Sequence, residues 1–335
     1  MIKREFLTKK ITMNKQLLIC TLVLNTLSNV FAQDVQFVNN PQALVQLNPS
    51  FAGSNGFVRN QLTYRNQWAN LSLNNITVLN TFDAYIKPLR AGIAISALQD
   101  NYARGRLKTT AMSIAYAQHI SLLDGNLKVI PSLQASVCNR SLDPKNIGIG
   151  DYIDGVRWNN NVQAPVSKTY FDLSSGLLIN YKNLYVGGSF SHINQPDHGL
   201  LGAYKLPVRS KFHVSYNLHL SEKTLINFSG KYELQDRYSF YQLNANVLLL
   251  KHFILGVGYG QNYITVNQLS SIETSKIISG TPNLTFGFKQ HYFSAQINYS
   301  QQGYYLSSFG IWEASLSFNL RTKELRKELT DFEKW

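Results

Sequence analysis

The stretch KFHVSYNLHL, Lys211 to Leu220, sets Phe212, Val214, Tyr216, Leu218 and Leu220 against Lys211, His213, Ser215, Asn217 and His219. Successive side chains of an extended chain point to opposite faces, so this period of two marks a strand with one apolar and one polar face. The same rhythm returns in Tyr241, Leu243, Ala245, Val247 and Leu249, in Phe293, Ala295, Ile297 and Tyr299, and in Trp312, Ala314, Leu316, Phe318 and Leu320. Between their apolar members stand Ser, Asn, Gln and Glu.

Read outward from these, the chain holds about fourteen such segments. They fall near 57–67, 75–87, 91–100, 108–120, 126–138, 168–180, 183–192, 208–220, 223–235, 238–250, 252–263, 275–289, 291–301 and 309–321. No helical pattern of ten to fifteen residues separates them, which disfavours a parallel α/β sheet. The connections sort by parity. Short gaps lie at 88–90, 121–125, 181–182, 221–222, 251 and 290; long ones lie at 68–74, 101–107, 139–167, 193–207, 264–274 and 302–308, with 236–237 breaking the rule. Tight turns at one rim and longer loops at the other, on an even number of strands, describe an antiparallel transmembrane β-barrel of the outer-membrane kind. In hydrocarbon every main-chain polar group must be paired, and closure leaves no open edge. The short turns are expected to face the periplasm, the longer loops the exterior, and both termini the periplasm. Tyr64, Tyr85, Tyr116, Tyr170, Tyr259 and Trp312, near strand ends, are expected to supply the aromatic girdles.

Composition agrees. Of 335 residues 44% are hydrophobic and only 15% charged, and 32 Lys and Arg face 19 Asp and Glu for a net charge of +13. So few charges fit poorly with two soluble domains, and the basic balance excludes an acidic disordered chain. Beyond residue 32 no apolar run approaches the roughly 20 residues of a membrane helix. At the N-terminus, a basic start at Met13 to Lys15, an apolar run from Leu17 to Leu27 and small residues up to Ala32 form an export signal, residues 1–32, with the start at Met1 or Met13. Residues 33–56, with Pro41, Asn48, Pro49 and Gly53, are not strand-like. They are expected to form a periplasmic N-terminal segment that enters or caps the barrel, 57–321, from below. Residues 322–335 form a charged periplasmic tail in which Leu325, Leu329 and Phe332 recur at helical spacing.

No chemistry stands out. Once the signal is removed Cys138 is the only cysteine, too little for an intrachain disulfide or a thiolate metal site. The seven histidines are scattered, and His213 and His219 read as lumenal. Gly256, Gly258 and Gly260 alternate on a strand and lack the helix N-terminus of a phosphate loop, so they are expected to form a smooth patch under Tyr side chains. Asp143, Asn146, Asp151 and Asp154 in the loop 139–167 offer oxygen ligands without a calcium-loop spacing. Ser191, His192 and Asp197 lie close in sequence, but no G-x-S-x-G accompanies them. The expectation is no catalytic residue, no cofactor and no metal, and an exported barrel has no use for nucleic acid.

The segment Asn48-Pro49-Ser50-Phe51-Ala52-Gly53, followed by Tyr64-Arg65-Asn66-Gln67-Trp68, resembles the opening signature of the PorP/SprF family of type IX secretion membrane proteins from Bacteroidota. That signature is usually N-P-A-x-A-G and then Y-R-x-Q-W. Gly92 opening a strand, Asp100 and Gly105 about the next loop, and Tyr116 continue the likeness; Ser50 and Ala94 depart from it, as does Asn74-Asn75-Ile76-Thr77 after the Trp. The resemblance implies an outer-membrane barrel without catalytic activity. Its implied role is secretion or surface anchoring of an adhesin, with periplasmic ring lipoproteins, the translocon and the adhesin's C-terminal domain as partners. Asn48, Pro49, Gly53, Tyr64, Arg65, Gln67 and Trp68 carry the motif. Arg59, Gln61, Arg65 and Gln67 alternate inward on the first strand, and residues 48–68 are expected to brace the N-terminal segment against the wall. A general or solute-specific pore is the alternative.

Overall fold

The computed structural model describes residues 34–38, 43–56, 58–69, 74–103, 105–143, 166–200, 202–267, 274–290, 292–301 and 310–320. Gln36–Trp335 forms one compact unit, the barrel; in the separate unit Met1–Val35 the described residues are Asp34 and Val35. The expected export signal, the tail 322–335 and most of the loop 139–167, with Asn146, Asp151 and Asp154, lie outside the described residues.

The strands are β1 Val58–Gln67, β2 Asn75–Ile86, β3 Ala91–Tyr102, β4 Leu107–Gln118, β5 Leu127–Leu142, β6 Val166–Tyr181 and β7 Leu184–Ser191. They continue as β8 Arg209–Ser221, β9 Thr224–Gln235, β10 Tyr238–Leu249, β11 Phe253–Asn267, β12 Thr274–Gln290, β13 Phe293–Gln301 and β14 Gly310–Leu320. A further short run, Ile120–Leu122, prolongs β4 past His119 and pairs with the same partner, β5. The fourteen strands are antiparallel and each bonds to its sequence neighbours; β1 bonds to β14 and closes the sheet. The all-β barrel read from the alternation is therefore the fold.

Its faces are inverted relative to a soluble protein. Asn217, Gln242 and Glu313 are fully buried, whereas Leu133 and Met112 are 68% and 67% exposed. The apolar set of each strand faces outward, where lipid covers it, and the polar set fills the interior. Tyr64, Tyr116, Tyr259 and Trp312 lie on the outer face as expected. Tyr85 and Tyr170 do not. Tyr85 packs edge-on against His119 and Tyr170 against His198, because their positions in β2 and β6 share the parity of buried Asp83 and Asp172.

One rim carries the tight turns, such as 182–183 and 222–223, and the other the longer connections, such as 143–165 and 192–208. The connection expected at 101–107 shrinks to 103–106, since β3 and β4 stay paired out to Tyr102 and Leu107. Two hairpins also outrun their expected lengths. β5 continues four residues past 138, to Leu142, and β11 four past 263, to Asn267. The glycines of β11 face inward, but Asn246, Asn244 and Phe240 lie across them in place of Tyr side chains.

Candidate functional site

The lumen is occupied by the chain's own N-terminal segment. Leu44–Leu47 makes one helical turn, and Pro49–Phe51 a tighter one. Asn48 caps the second: its Oδ1 accepts from the Ser50 N–H at 2.9 Å, and Pro49 at the first helical position gives up no needed donor. Leu44, Val45, Leu47, Phe51 and Ala52 are buried against a wall of small and apolar side chains, among them Ala94, Ala115, Ala117, Ile130 and Leu178. Burial of Phe51 or Leu47 contributes roughly 1.5–3 kcal/mol each, and the alanines leave room for them. Ala94 is part of this seat.

Polar contacts fix the register. The Asn48 amide Nδ2 donates to the carbonyls of Leu177 and Gly188, both at 3.1 Å, and lies 3.1 Å from His213 Nε2. The Ser50 and Ser132 hydroxyls are 2.8 Å apart. Ser189 Oγ donates to the Leu47 carbonyl at 2.8 Å, Lys211 Nζ to that of Gln46 at 2.7 Å and Lys231 Nζ to that of Phe37 at 2.5 Å. Tyr238, the first residue of β10 beside the 236–237 connection, donates from its hydroxyl to Gln36 Oε1 at 2.8 Å. The segment thus runs from Gln36, toward the long-loop rim, down to Gly53 beside the short-turn rim. The periplasmic segment expected to enter or cap the barrel from below is, over its described residues from Gln36, inside the wall.

Two glycines make the lower contact. A Cβ on Gly92 would stand 1.8 Å from the Ala52 carbonyl oxygen, and one on Gly53 would stand 2.6 Å from Gly92 Cα. Gly53 also has φ +64°, a conformation open to glycine at little cost.

The arginines of β1 act through carboxylates. Arg59 Nε donates to Asp83 Oδ1 at 2.7 Å, and Asp83 Oδ2 accepts the Gly53 N–H at 3.0 Å. Near the other rim Arg65 Nε is 3.5 Å from Glu313 Oε1, which accepts the Val38 N–H at 2.8 Å. Each end of the segment is therefore held by a buried carboxylate that a β1 arginine neutralises. A buried charge persists only when paired and hydrogen-bonded. Arg65 also donates to Gln67 Oε1 at 2.8 Å. Tyr64 points outward and Trp68, with φ +60°, turns the chain after β1 with its N–H on the Gly310 carbonyl. The motif residues thus divide into Asn48, Pro49 and Gly53 in the segment, Arg65 and Gln67 on the inner wall, and Tyr64 and Trp68 outside both.

Asp83, Glu313, Lys211, Lys231 and Ser132 escaped the sequence reading as contact residues. Their signal was parity: each stands on a polar inner face, but nothing local says which of the polar residues meets the segment. Ser191, His192 and Asp197 do not assemble into a relay, because His192 lies 3.0 Å from Asp172 and Asp197 lies 2.7 Å from Lys168.

Residues 29–331 match the family model described as type IX secretion system membrane protein PorP/SprF. The chain belongs to this family. No curated protein matches it in sequence. Among solved structures it is similar to the CymD monoaromatic hydrocarbon channel, at 12% identity and a TM-score of 0.51 over 84% of this chain and 92% of that one. A Pseudomonas aeruginosa FadL homologue aligns at 9% and 0.48 over 81% and 94%. Acinetobacter baumannii Omp33 aligns at 8% and 0.42 over 79% and 98%. At such identities the likeness to CymD speaks for the fold alone. Membership in PorP/SprF and the barrel together make this an outer-membrane β-barrel of the type IX secretion system.

Proposed function

We propose that this PorP/SprF protein is a non-enzymatic component that supports secretion or surface anchoring of an adhesin-type substrate through protein contacts. The observation that carries this reading is the filled lumen: Gln36 to Gly53 bonds to the inner walls of strands on opposite sides of the barrel, among them β2, β7, β8 and β14. A solute pore needs an open polar path. Here inner polar groups of β2, β5, β7–β10 and β14 are engaged by the chain's own segment, and this reading therefore places function on the two rims. In this reading the short-turn rim, where β1 begins and β14 ends, faces the periplasm and the ring lipoproteins, and the long-loop rim faces the exterior and the adhesin's C-terminal domain. The residues 48–68 serve as the brace that keeps the segment seated.

The test is a mild-detergent pull-down of the tagged full-length protein from native outer membranes, with planar-bilayer recording of the same preparation. Ring lipoproteins or the C-terminal domain of a secreted protein in the eluate, together with a silent bilayer, is the expected result. A steady ohmic conductance from a barrel that retains no partner overturns the reading in favour of a pore.

A further inference from the structure

β6 is longer than the strand beside it. Its ladder with β7 ends at Ser175 and Phe190, whereas its ladder with β5 continues to Leu142 and Val166. Among the described residues, β6 therefore has a strand on one side only over 166–174. The connection 192–208 begins to cover the open side: Ile193 N–H donates to the Leu173 carbonyl at 3.0 Å, Asn194 Oδ1 accepts the Leu173 N–H at 3.0 Å, and Asn194 Nδ2 donates to the Phe171 carbonyl at 2.8 Å. Among the described residues the cover stops there. Main-chain groups of a strand alternate sides, so Thr169 and Ser167, of the same parity as Leu173 and Phe171, present their N–H and C=O groups to that open edge. Both residues are exposed, and no described residue bonds those groups. The edge also stands in water. Phe171 and Val137 are the last apolar pair on the outer face, and beyond them come Asn139 with Thr169 and Ser141 with Ser167.

A second overhang shows how such an edge is blunted. Among the described residues the ladder of β12 with β13 ends at the pair Asn283 and Ser300, and the next residue of β12 is Pro282. The Lys289 N–H bonds to His252 on the β11 side, so even-numbered residues of β12 face β13, and at 282 the first open position has no N–H to give. The β6 edge, Val166 to Leu173, contains no proline. Unblunted edges are templates for strand addition.

From this geometry we infer that the edge of β6 at Ser167, Thr169 and Phe171 is a docking site for an extended strand of an exported protein partner, added by main-chain hydrogen bonds at the long-loop rim. This rests on the secretion reading above and deepens it. A second copy of the barrel fits poorly as the occupant. Barrel strands tilt about 35–45° from the membrane normal, so two copies related by an axis along that normal would cross their β6 strands at roughly 70–90°, too steeply to form a ladder. A strand from a protein outside the membrane carries no such constraint.

The experiment compares Thr169→Pro with Thr169→Ala in the full-length protein in native outer membranes. Proline at 169 removes the donor on the open edge and leaves Lys168 and Tyr170, which face β5, untouched; alanine changes the side chain alone. Folding of both is checked by heat-modifiable gel mobility. The exported protein that co-purifies with wild type is quantified, and amide exchange of residues 167–171 is followed with and without it. The expected result is at least a tenfold loss of partner for Thr169→Pro, retention for Thr169→Ala, and slowed exchange at Thr169 in the complex. Retention by a folded Thr169→Pro barrel, equal loss in both variants, or a β6-linked homodimer overturns the strand-docking inference while leaving the secretion reading standing. Absence of any exported partner from a wild-type eluate that still holds ring lipoproteins overturns the strand-docking inference alone; a barrel that retains no protein partner and conducts steadily overturns both.

Discussion

At the scale of single residues, the lumenal segment depends on positions where atoms meet without slack. Gly92 is the sharpest, because the atom its Cβ would strike is a main-chain carbonyl, which cannot swing aside as a side chain can. Overpacking of a close-packed site typically costs about 1–3 kcal/mol. Gly92→Ala is therefore expected to lower the midpoint of heat-modified gel mobility and to open Phe37 to Phe51 to proteinase K from detergent micelles, with the outer wall intact. Gly202→Ala, whose Cβ would meet nothing within 4 Å, is the control and is expected to leave both unchanged. Equal behaviour of the two variants would refute the close approach. Asn48, Pro49, Gly53 and Gly92 were legible in the sequence as a family signature, and their positions now have physical reasons: a cap, a helix start, and two residues without a Cβ where backbones touch. Asp83 and Glu313 were not legible as a pair, since what unites them is an arginine of β1 and an N–H of the segment, each brought close by closure.

Among elements, the strands that cross the apolar layer were readable because lipid on one side and polar lumen on the other force a period of two. That force ends where the wall leaves the membrane. At Asn139, Ser141, Ser167 and Thr169 both faces of the hairpin meet polar surroundings, the alternation disappears, and the reading stops β5 at 138 while its ladder runs on to Leu142. The connection 192–208 leans on the inner side of this overhang. Lys168 Nζ lies 2.7 Å from Asp197 Oδ2, and Asp197 Oδ1 accepts the N–H groups of Tyr204 at 2.8 Å and Gly199 at 3.0 Å. The hydrogen bond from the Lys168 ammonium first, and the two main-chain donors next, hold the Asp197 carboxyl well below the usual carboxylate range. A depressed carboxyl contributes its stability in full above the unfolded value, about 3.9, and loses it only as pH falls from there through the folded value. Amide protection at Gly199 and Tyr204, corrected for intrinsic exchange, is thus expected to hold from pH 7 down to about 4 and to fail below, whereas Asp197→Asn loosens both amides already at neutral pH. The pair is exposed, so the effect is local to the connection. Loss of protection between pH 6 and 5 would count against this anchor.

For the whole molecule, closure decides what the rest can do. A sheet with an apolar outside has its polar groups within, and the same inner face that would carry solute in a pore here binds Gln36 to Gly53 by hydrogen bonds and an apolar cluster. The asymmetry of the rims then assigns the sides. Tight turns serve the compartment in which the chain folds, and longer connections reach the other, so the proposed orientation follows from connection length without appeal to charge. It predicts a labelling pattern. Cys138 is buried, which keeps the background low. Asn194→Cys at the long-loop rim is expected to react with a membrane-impermeant maleimide on intact cells, and Lys223→Cys in the β8–β9 turn only after the outer membrane is permeabilised. Both are exposed rim positions outside the strand ladders; Asn194→Cys gives up two hydrogen bonds to the main chain of β6, so folding of both variants is checked by heat-modifiable gel mobility. The reverse pattern would invert the barrel, place the β6 edge in the periplasm, and reassign its partner from the exported substrate to the periplasmic side of the secretion apparatus.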